Sequence, residues 1–265
     1  MANKIDELYF SQAALSIYDQ CALKFKRRYL DGLYWGSSWG KKESQKKEIE
    51  KGRLFHDLAD KYYSFGKNVV DKELIPEEVA KWLESLIKFR PYNEAGAFLP
   101  EQELRLNQDG MKLMAKFDLL YISSDNEAII YDWKTSKKPA KKVYRRRSIQ
   151  TKLYRYLLVA AGGRFSAKES WAPEEIKMVY WNPRFKVEQV LAYSQEKFEA
   201  DKRYLQQEIK EIKNDEEFMA TDNEEICDYC EYNPICHGET AIEVELEEED
   251  LDIDFDWEEE NAMNF

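Results

Sequence analysis

The spacing of apolar positions changes twice along this chain, from helical periods to strand alternation and back to helical periods. Residues 11–31 are predicted to be one helix, with Ser11 as its N-cap and Leu15, Tyr18, Leu23 and Phe25 on its apolar side. The polar stretch 36–50, rich in Gly, Ser and Lys, is expected to be a mobile connection. Further helices are predicted over 51–64 and 76–89, the latter between Pro76 at its start and Pro91 just past its end. Strands follow at 98–107 and 111–122, joined by the hairpin signal Asn107-Gln108-Asp109-Gly110. A third strand covers 127–134, and after a basic loop a helix runs from 145 to 161 and stops at Gly162-Gly163. Strands at 175–181 and 186–192 and a long helix at 194–213 complete the order. A helix, three strands, a helix and a strand in the centre of the chain belong to the α/β (α+β) class.

A chain of 265 residues can bury one sizeable core and a small accessory lobe. With 43% hydrophobic and 14% aromatic residues it is expected to be globular. Its longest apolar run, Tyr156–Gly163, is far too short for a bilayer, so no membrane is expected as a partner. The opening residues have neither a basic n-region nor an apolar h-region. The expected setting is therefore a cytoplasm, a host's if the protein is viral, where cysteines stay reduced.

The formal charge of −12 at first argues against a nucleic-acid ligand, until it is located. Residues 241–265 carry twelve Asp and Glu and no Lys or Arg, which leaves the first 240 residues neutral. That acidic end is predicted to be a disordered tail following a folded domain over 1–240. Its Phe255, Trp257 and Phe265 suit docking of a helicase or a single-strand-binding protein, or mimicry of DNA that covers a basic patch. Such a patch exists: from Lys134 to Arg147 the chain has eight basic residues and no acidic one. Lys137, Lys138, Lys141, Lys142, Arg145, Arg146 and Arg147 are therefore candidate phosphate contacts. No G-x-x-x-x-G-K-[ST] is present, so a motor working with this chain is a separate polypeptide.

Strand geometry brings the candidate chemistry together. Residues i and i+2 share a face, so Asp132 and Lys134 project together while Trp133 faces the other way. A carboxylate and an ammonium on a strand apolar on both faces are costly to bury unless they face a cleft or bind an ion. On the preceding strand Asp118 lies on the polar side, and Asp118 and Asp132 can converge on one hard divalent cation. The chemistry expected is metal-assisted phosphodiester hydrolysis, with Lys134 orienting water or stabilising developing charge. Glu103, near Glu101 and Arg105, is a candidate for a further carboxylate. His56 sits at the edge of the apolar side formed by Leu54, Phe55, Leu58 and Tyr62. Gln150 and Tyr154 are i,i+4 neighbours, with Arg146 extending the stripe by one turn toward the basic loop, an arrangement suited to phosphate and base contacts.

Every thiol of the chain fits one four-ligand site: Cys21 near the start, and Cys227, Cys230 and Cys236 spaced C-x2-C-x5-C near the end. Tetrathiolate sites hold iron–sulfur clusters or zinc. Ligands drawn from both ends would staple the N-terminal helical part to the C-terminal segment.

In chain order, YDQCALKFKRRYL, GRLFH, FDLLYI, YDWKTSK, QTKLY and CDYCEYNPIC resemble the motifs of the PD-(D/E)XK nuclease superfamily. The resemblance covers about residues 11–238 and points to the RecB/AddB-like iron–sulfur exonuclease branch, which includes CRISPR-adaptation exonucleases and the exonuclease V type. It implies a restriction-endonuclease-like core, a mixed sheet flanked by helices. It implies His56, Asp118 and Asp132 as Mg²⁺ or Mn²⁺ ligands, Lys134 as the catalytic lysine, Gln150 and Tyr154 as the QxxxY pair, and a structural [4Fe–4S] cluster on the four cysteines. Ala22 stands where this branch usually has proline after the first cysteine. Asp132 replaces the Glu common among CRISPR-associated members, a RecB/AddB-like trait. Two functions follow: a metal-dependent DNA exonuclease of recombination, repair, phage replication or CRISPR adaptation, or a non-catalytic, metal-stapled DNA-binding or scaffold subunit of a helicase–nuclease assembly.

Overall fold

A computed structural model describes residues 2–34, 43–66, 75–93, 95–137, 141–228 and 230–238. Lys138, the acidic tail 241–265 and residues 36–42 of the expected connection lie outside the described residues. The chain divides into two compact units, Lys51–Gln206 and the described residues of Met1–Glu50 with Gln207–Phe265.

In chain order the helices before the sheet are α1 (Ala2–Glu7), α2 (Gln12–Gln20), α3 (Ala22–Phe25), α4 (Glu43–Phe65) and α5 (Glu77–Phe89). Strands β1 (Ala97–Gln108), β2 (Met111–Ile122) and β3 (Ala128–Trp133) precede α6 (Lys142–Arg147) and α7 (Ile149–Ala161). Then come β4 (Ile176–Asn182), β5 (Val187–Ala192), α8 (Gln195–Asn214), α9 (Glu224–Asp228) and α10 (Asn233–His237).

The unit Lys51–Gln206 is built on a mixed five-stranded sheet in the order β1-β2-β3-β4-β5. Only β3 and β4 run parallel, because α7 carries the chain between them; the other neighbours are antiparallel. Asp109 and Gly110 both have positive φ, 56° and 76°, the conformation a tight hairpin needs, and this pins the β1–β2 register from Gln108–Met111 outward. Central β3 has Ala128, Ile130, Tyr131 and Trp133 buried. On one face Tyr131 and Trp133 join Phe55, Tyr62, Trp82, Leu86 and Trp181 in the core, each such side chain contributing about 1.5–3 kcal/mol through burial.

Two boundaries differ from expectation. Helix α4 already begins at Glu43, so 43–50 is helical rather than part of a connection. The single helix expected over 145–161 is two, because Ser148 is extended (ψ 145°) and caps α7 by accepting the Thr151 N–H.

In the other unit Ser11 caps α2 as expected, accepting the Ala14 N–H at 3.0 Å. The expected helix 11–31 is interrupted at Cys21, whose backbone is extended (φ −163°, ψ 109°). The Cys21 N–H closes α2 on the Ile17 carbonyl, and its thiol opens α3 by accepting the Lys24 N–H at 3.4 Å. Phe25 packs here between Phe10, Tyr18 and Phe218. A π turn, Lys26–Leu30, follows α3. Among the described residues no helix is long and apolar enough to cross a membrane.

Candidate active site

The site forms where the ladders around β2 are interrupted. The last β2–β3 pair is Leu119–Tyr131, so the next opposed positions are Asp118 and Asp132. Here the strands part, and the Asp118 carboxylate takes the Trp133 N–H at 2.6 Å. On the other edge of β2, Glu101 stands opposite Asp118 between the pairs Pro100–Leu119 and Gln102–Phe117. Its φ of 49° is left-handed, a strained state for a residue with a β-carbon and one that clusters at functional sites.

Helix α4 supplies His56, whose Nδ1 lies 3.3 Å from Asp118 Oδ1. Ligand atoms of His56, Glu101 and Asp118 lie within 4.8 Å of one another, and the Glu101 carboxylate is held by Lys116 Nζ at 2.5 Å. Burial opposes charging of His56, but the Asp118 carboxylate, helped by Glu101 and Asp132, outweighs it and lifts the imidazole to about 9. Burial likewise pushes Asp118 up, and His56, the Trp133 N–H and Lys134 together more than reverse this, leaving Asp118 below the usual carboxylate range. Glu101 moves the other way, raised by burial and by the charge of Asp118. Two crowded carboxylates and an imidazole are a donor set that fits a divalent cation.

Asp132 is 2% exposed and holds a different set of partners. Its Oδ1 lies 3.0 Å from Lys134 Nζ, and its Oδ2 accepts from Gln150 Nε2 at 2.8 Å. Gln150 Oε1 in turn accepts from the Tyr180 hydroxyl at 3.3 Å, which also shares a 2.7 Å hydrogen bond with Thr151 Oγ1. Burial, then the charge of Asp132, pushes the Tyr180 phenol up to about 12, so the ring stays neutral.

The structure thus sorts the candidates into two adjoining clusters. His56 and Asp118 meet Glu101, while Asp132 meets Lys134 and Gln150. Glu103 instead pairs with Arg105 at 2.5 Å, and Glu101 occupies the place expected for it. The hairpin would have found this from sequence: counting from Asp109-Gly110 puts 101, not 103, opposite 118. Tyr154, read with Gln150 as suited to phosphate and base contacts, is buried instead: it is 3% exposed and packs on Phe117 with ring centroids 5.2 Å apart. Arg146 lies in α6, across the Ser148 break from Gln150 and Tyr154 in α7. Lys137, Lys141, Lys142, Arg146 and Arg147 are exposed, whereas Arg145 is half-buried with its guanidinium 4.8 Å from the Tyr180 ring centre.

In the unit containing both chain ends, Cys21, Cys227, Cys230 and Cys236 line one small open cavity. Arg27 donates to Cys236 Sγ at 2.7 Å. Burial, with the charges of Cys21 and Cys236, raises the Cys227 thiol, and burial lifts Cys230 to about 11. Among the described residues, the group with three ligand atoms within 4.8 Å of one another is His56, Glu101 and Asp118. Soft thiolates on one cavity fit a metal centre.

The sequence model of the PD-(D/E)XK nuclease superfamily matches residues 9–109 and 93–237. The chain belongs to this superfamily. PD-(D/E)XK nucleases use divalent metals, in keeping with the His56–Glu101–Asp118 group. The fold is similar to the solved structure of a "Putative exonuclease" from Eubacterium rectale, at 12% identity with a TM-score of 0.50 and 92% of each chain covered. The solved structure of SSO0001 matches at 16% identity and a TM-score of 0.40, over 87% of this chain and 86% of that one. No curated protein matches the chain.

Proposed function

We propose that the chain is a divalent-metal-dependent deoxyribonuclease, an exonuclease acting on single-stranded DNA or DNA ends, of the RecB/AddB-like iron–sulfur branch. The observation that carries this reading is the adjacency of two complete clusters: His56–Glu101–Asp118, able to hold Mg²⁺ or Mn²⁺, and Asp132–Lys134–Gln150 beside it. A bound divalent cation would polarise the scissile phosphate and acidify a water. The chain's own groups do the rest. The Trp133 N–H aims Asp118, and Lys116 holds Glu101 in its left-handed backbone position. Gln150 fixes the Asp132 carboxylate, which in turn holds the Lys134 Nζ at 3.0 Å. Lys134 then donates to the attacking water or to the phosphoryl oxygen on which charge develops. The exposed Lys137, Lys141, Lys142, Arg146 and Arg147 supply non-specific phosphate contacts.

The four cysteines are assigned to a [4Fe–4S] cluster that joins the two ends of the chain. DNA repair, recombination, phage replication or CRISPR adaptation, with a separate helicase or single-strand-binding partner, are the settings this reading implies.

The test is digestion of end-labelled linear and circular DNA with Mn²⁺. Linear DNA should shorten progressively, and Lys134→Ala should lose at least about a hundredfold in rate. Equal digestion by both proteins would reject the reading.

A further inference from the structure

We propose that Lys116 is a second lysine of the active site, a phosphate-binding residue whose ammonium turns to DNA when the His56–Glu101–Asp118 group holds a cation. The proposal rests on the nuclease reading and deepens it, naming the side chain through which metal binding controls DNA binding. Lys116 lies two residues before Asp118 on β2, so the two side chains stand on one face of the sheet. Directly across the β1–β2 ladder from Lys116 is Glu103, the partner that cross-strand pairing would give it. Glu103 instead takes Arg105, and Lys116 Nζ reaches the diagonal neighbour Glu101, each pair at 2.5 Å. That lean carries the ammonium to a carboxylate of the metal group, whose ligand atoms lie within 4.8 Å of one another. The Lys116 side chain keeps 28% of its surface exposed there, so a phosphate can reach it.

Formal charge decides when it does. In the metal-free site Glu101 balances Lys116, Asp118 faces His56, and Asp132 balances Lys134 in the adjoining cluster. A divalent cation that takes Asp118 and Glu101 balances both carboxylates by itself. Glu101 then no longer offsets the lysine, and the group as a whole gains positive charge at Lys116. An anion is favoured beside that ammonium, and a phosphodiester oxygen held at the same cation supplies one. The flexible four-carbon stem of lysine lets the ammonium move from Glu101 to the phosphate while β2 stays in place. The exposed lysines of the basic loop differ in this respect, because no metal ligand stands beside them to switch their charge on and off.

The experiment uses the full chain and a fluorescein-labelled (dT)12 read by anisotropy, in EDTA and in saturating Ca²⁺, an ion that takes the same oxygen donors. Lys116→Met should leave Kd within about twofold of the parent in EDTA and raise it about tenfold in Ca²⁺. The slope of log affinity against log salt should fall in magnitude by about 0.7 in Ca²⁺, the value for one phosphate on a single strand, and stay unchanged in EDTA. Lys142→Met, on the exposed basic helix, should weaken binding by the same factor in both conditions. Lys116→Arg should restore most of the Ca²⁺-dependent affinity, and Lys116→Gln replaces the methionine variant if that one does not fold. An effect of Lys116→Met as large in EDTA as in Ca²⁺, or none in either, would overturn the assignment. Calorimetric titration of the parent with Mn²⁺ separates the two readings. Mn²⁺ binding together with equal Lys116→Met effects rejects the role of Lys116 alone, whereas no Mn²⁺ binding rejects the nuclease reading beneath it.

Discussion

The Asp118 carboxylate accepts the Trp133 backbone N–H at the point where β2 and β3 separate, 2.6 Å from oxygen to nitrogen. The bond replaces a lost ladder hydrogen bond and fixes the carboxylate that His56 and Glu101 approach from either side. A sheet defect and a ligand position are thus one feature.

Gln150 supports Asp132 from α7, and removing it leaves a buried charge short of a donor. Gln150→Leu should cost about 1.5–3 kcal/mol in urea unfolding, the range for hydrogen bonds to charged groups. Cleavage should fall as well. Tyr154→Ala should cost about 3–5 kcal/mol in the same unfolding measurement, because the buried ring packs on Phe117.

Metal binding should release protons. With His56 lifted to about 9, the metal-free imidazole is protonated at pH 7.5 and must lose that proton to serve as a ligand. Apparent Mn²⁺ affinity should therefore rise with pH up to about 9 and level off above it. Calorimetry in two buffers of different ionisation enthalpy should give close to one proton released per ion at pH 7.5. An affinity independent of pH between 6 and 9, chosen to bracket that value, would refute His56 as a ligand.

The cysteine site makes a separate prediction. Protein purified without oxygen should show broad visible absorption that Cys230→Ser abolishes, with a fall in Tm of about 5 °C or more. A colourless protein holding one zinc per chain would exclude the cluster.

Charge alone sets an expectation for residues 241–265. Their removal takes the formal charge from −12 to zero. DNA affinity should rise at low salt, and the gain should shrink as salt increases. Equal affinities at low salt would show that these carboxylates do not compete for the basic loop.

Much of this was legible in the chain. Ser11, Pro76, Asp109-Gly110 and the alternation through β2 carry their signals locally, so the elements and their order could be read directly. Asp132 and Lys134 stood out because charged groups interrupt an otherwise apolar strand, Asp118 because it lies on the polar side of the neighbouring strand, and His56 through the family resemblance. The breaks at Cys21 and Ser148 were not, since each lies in a sequence that also supports an unbroken helix. Long-range context selects the extended residue there: the cysteine cavity in one case, and the Ser148–Thr151–Tyr180 hydrogen bonds in the other. Glu101 and Glu103 share a strand face by alternation, and only the register set by the hairpin separates them. The burial of Tyr154 depends on Phe117 from another element, which no local period reports.

The central claim concerns which side chains grip the cation. Anomalous diffraction from crystals soaked in Mn²⁺ locates it directly, with Glu101→Gln, Glu103→Gln and Asp132→Asn compared by calorimetry. The ion should lie among His56, Asp118 and Glu101, and Glu101→Gln should weaken binding at least about tenfold while Glu103→Gln leaves it unchanged. No manganese at His56 and Asp118, or equal binding by the Glu101 and Glu103 variants, would contradict the account.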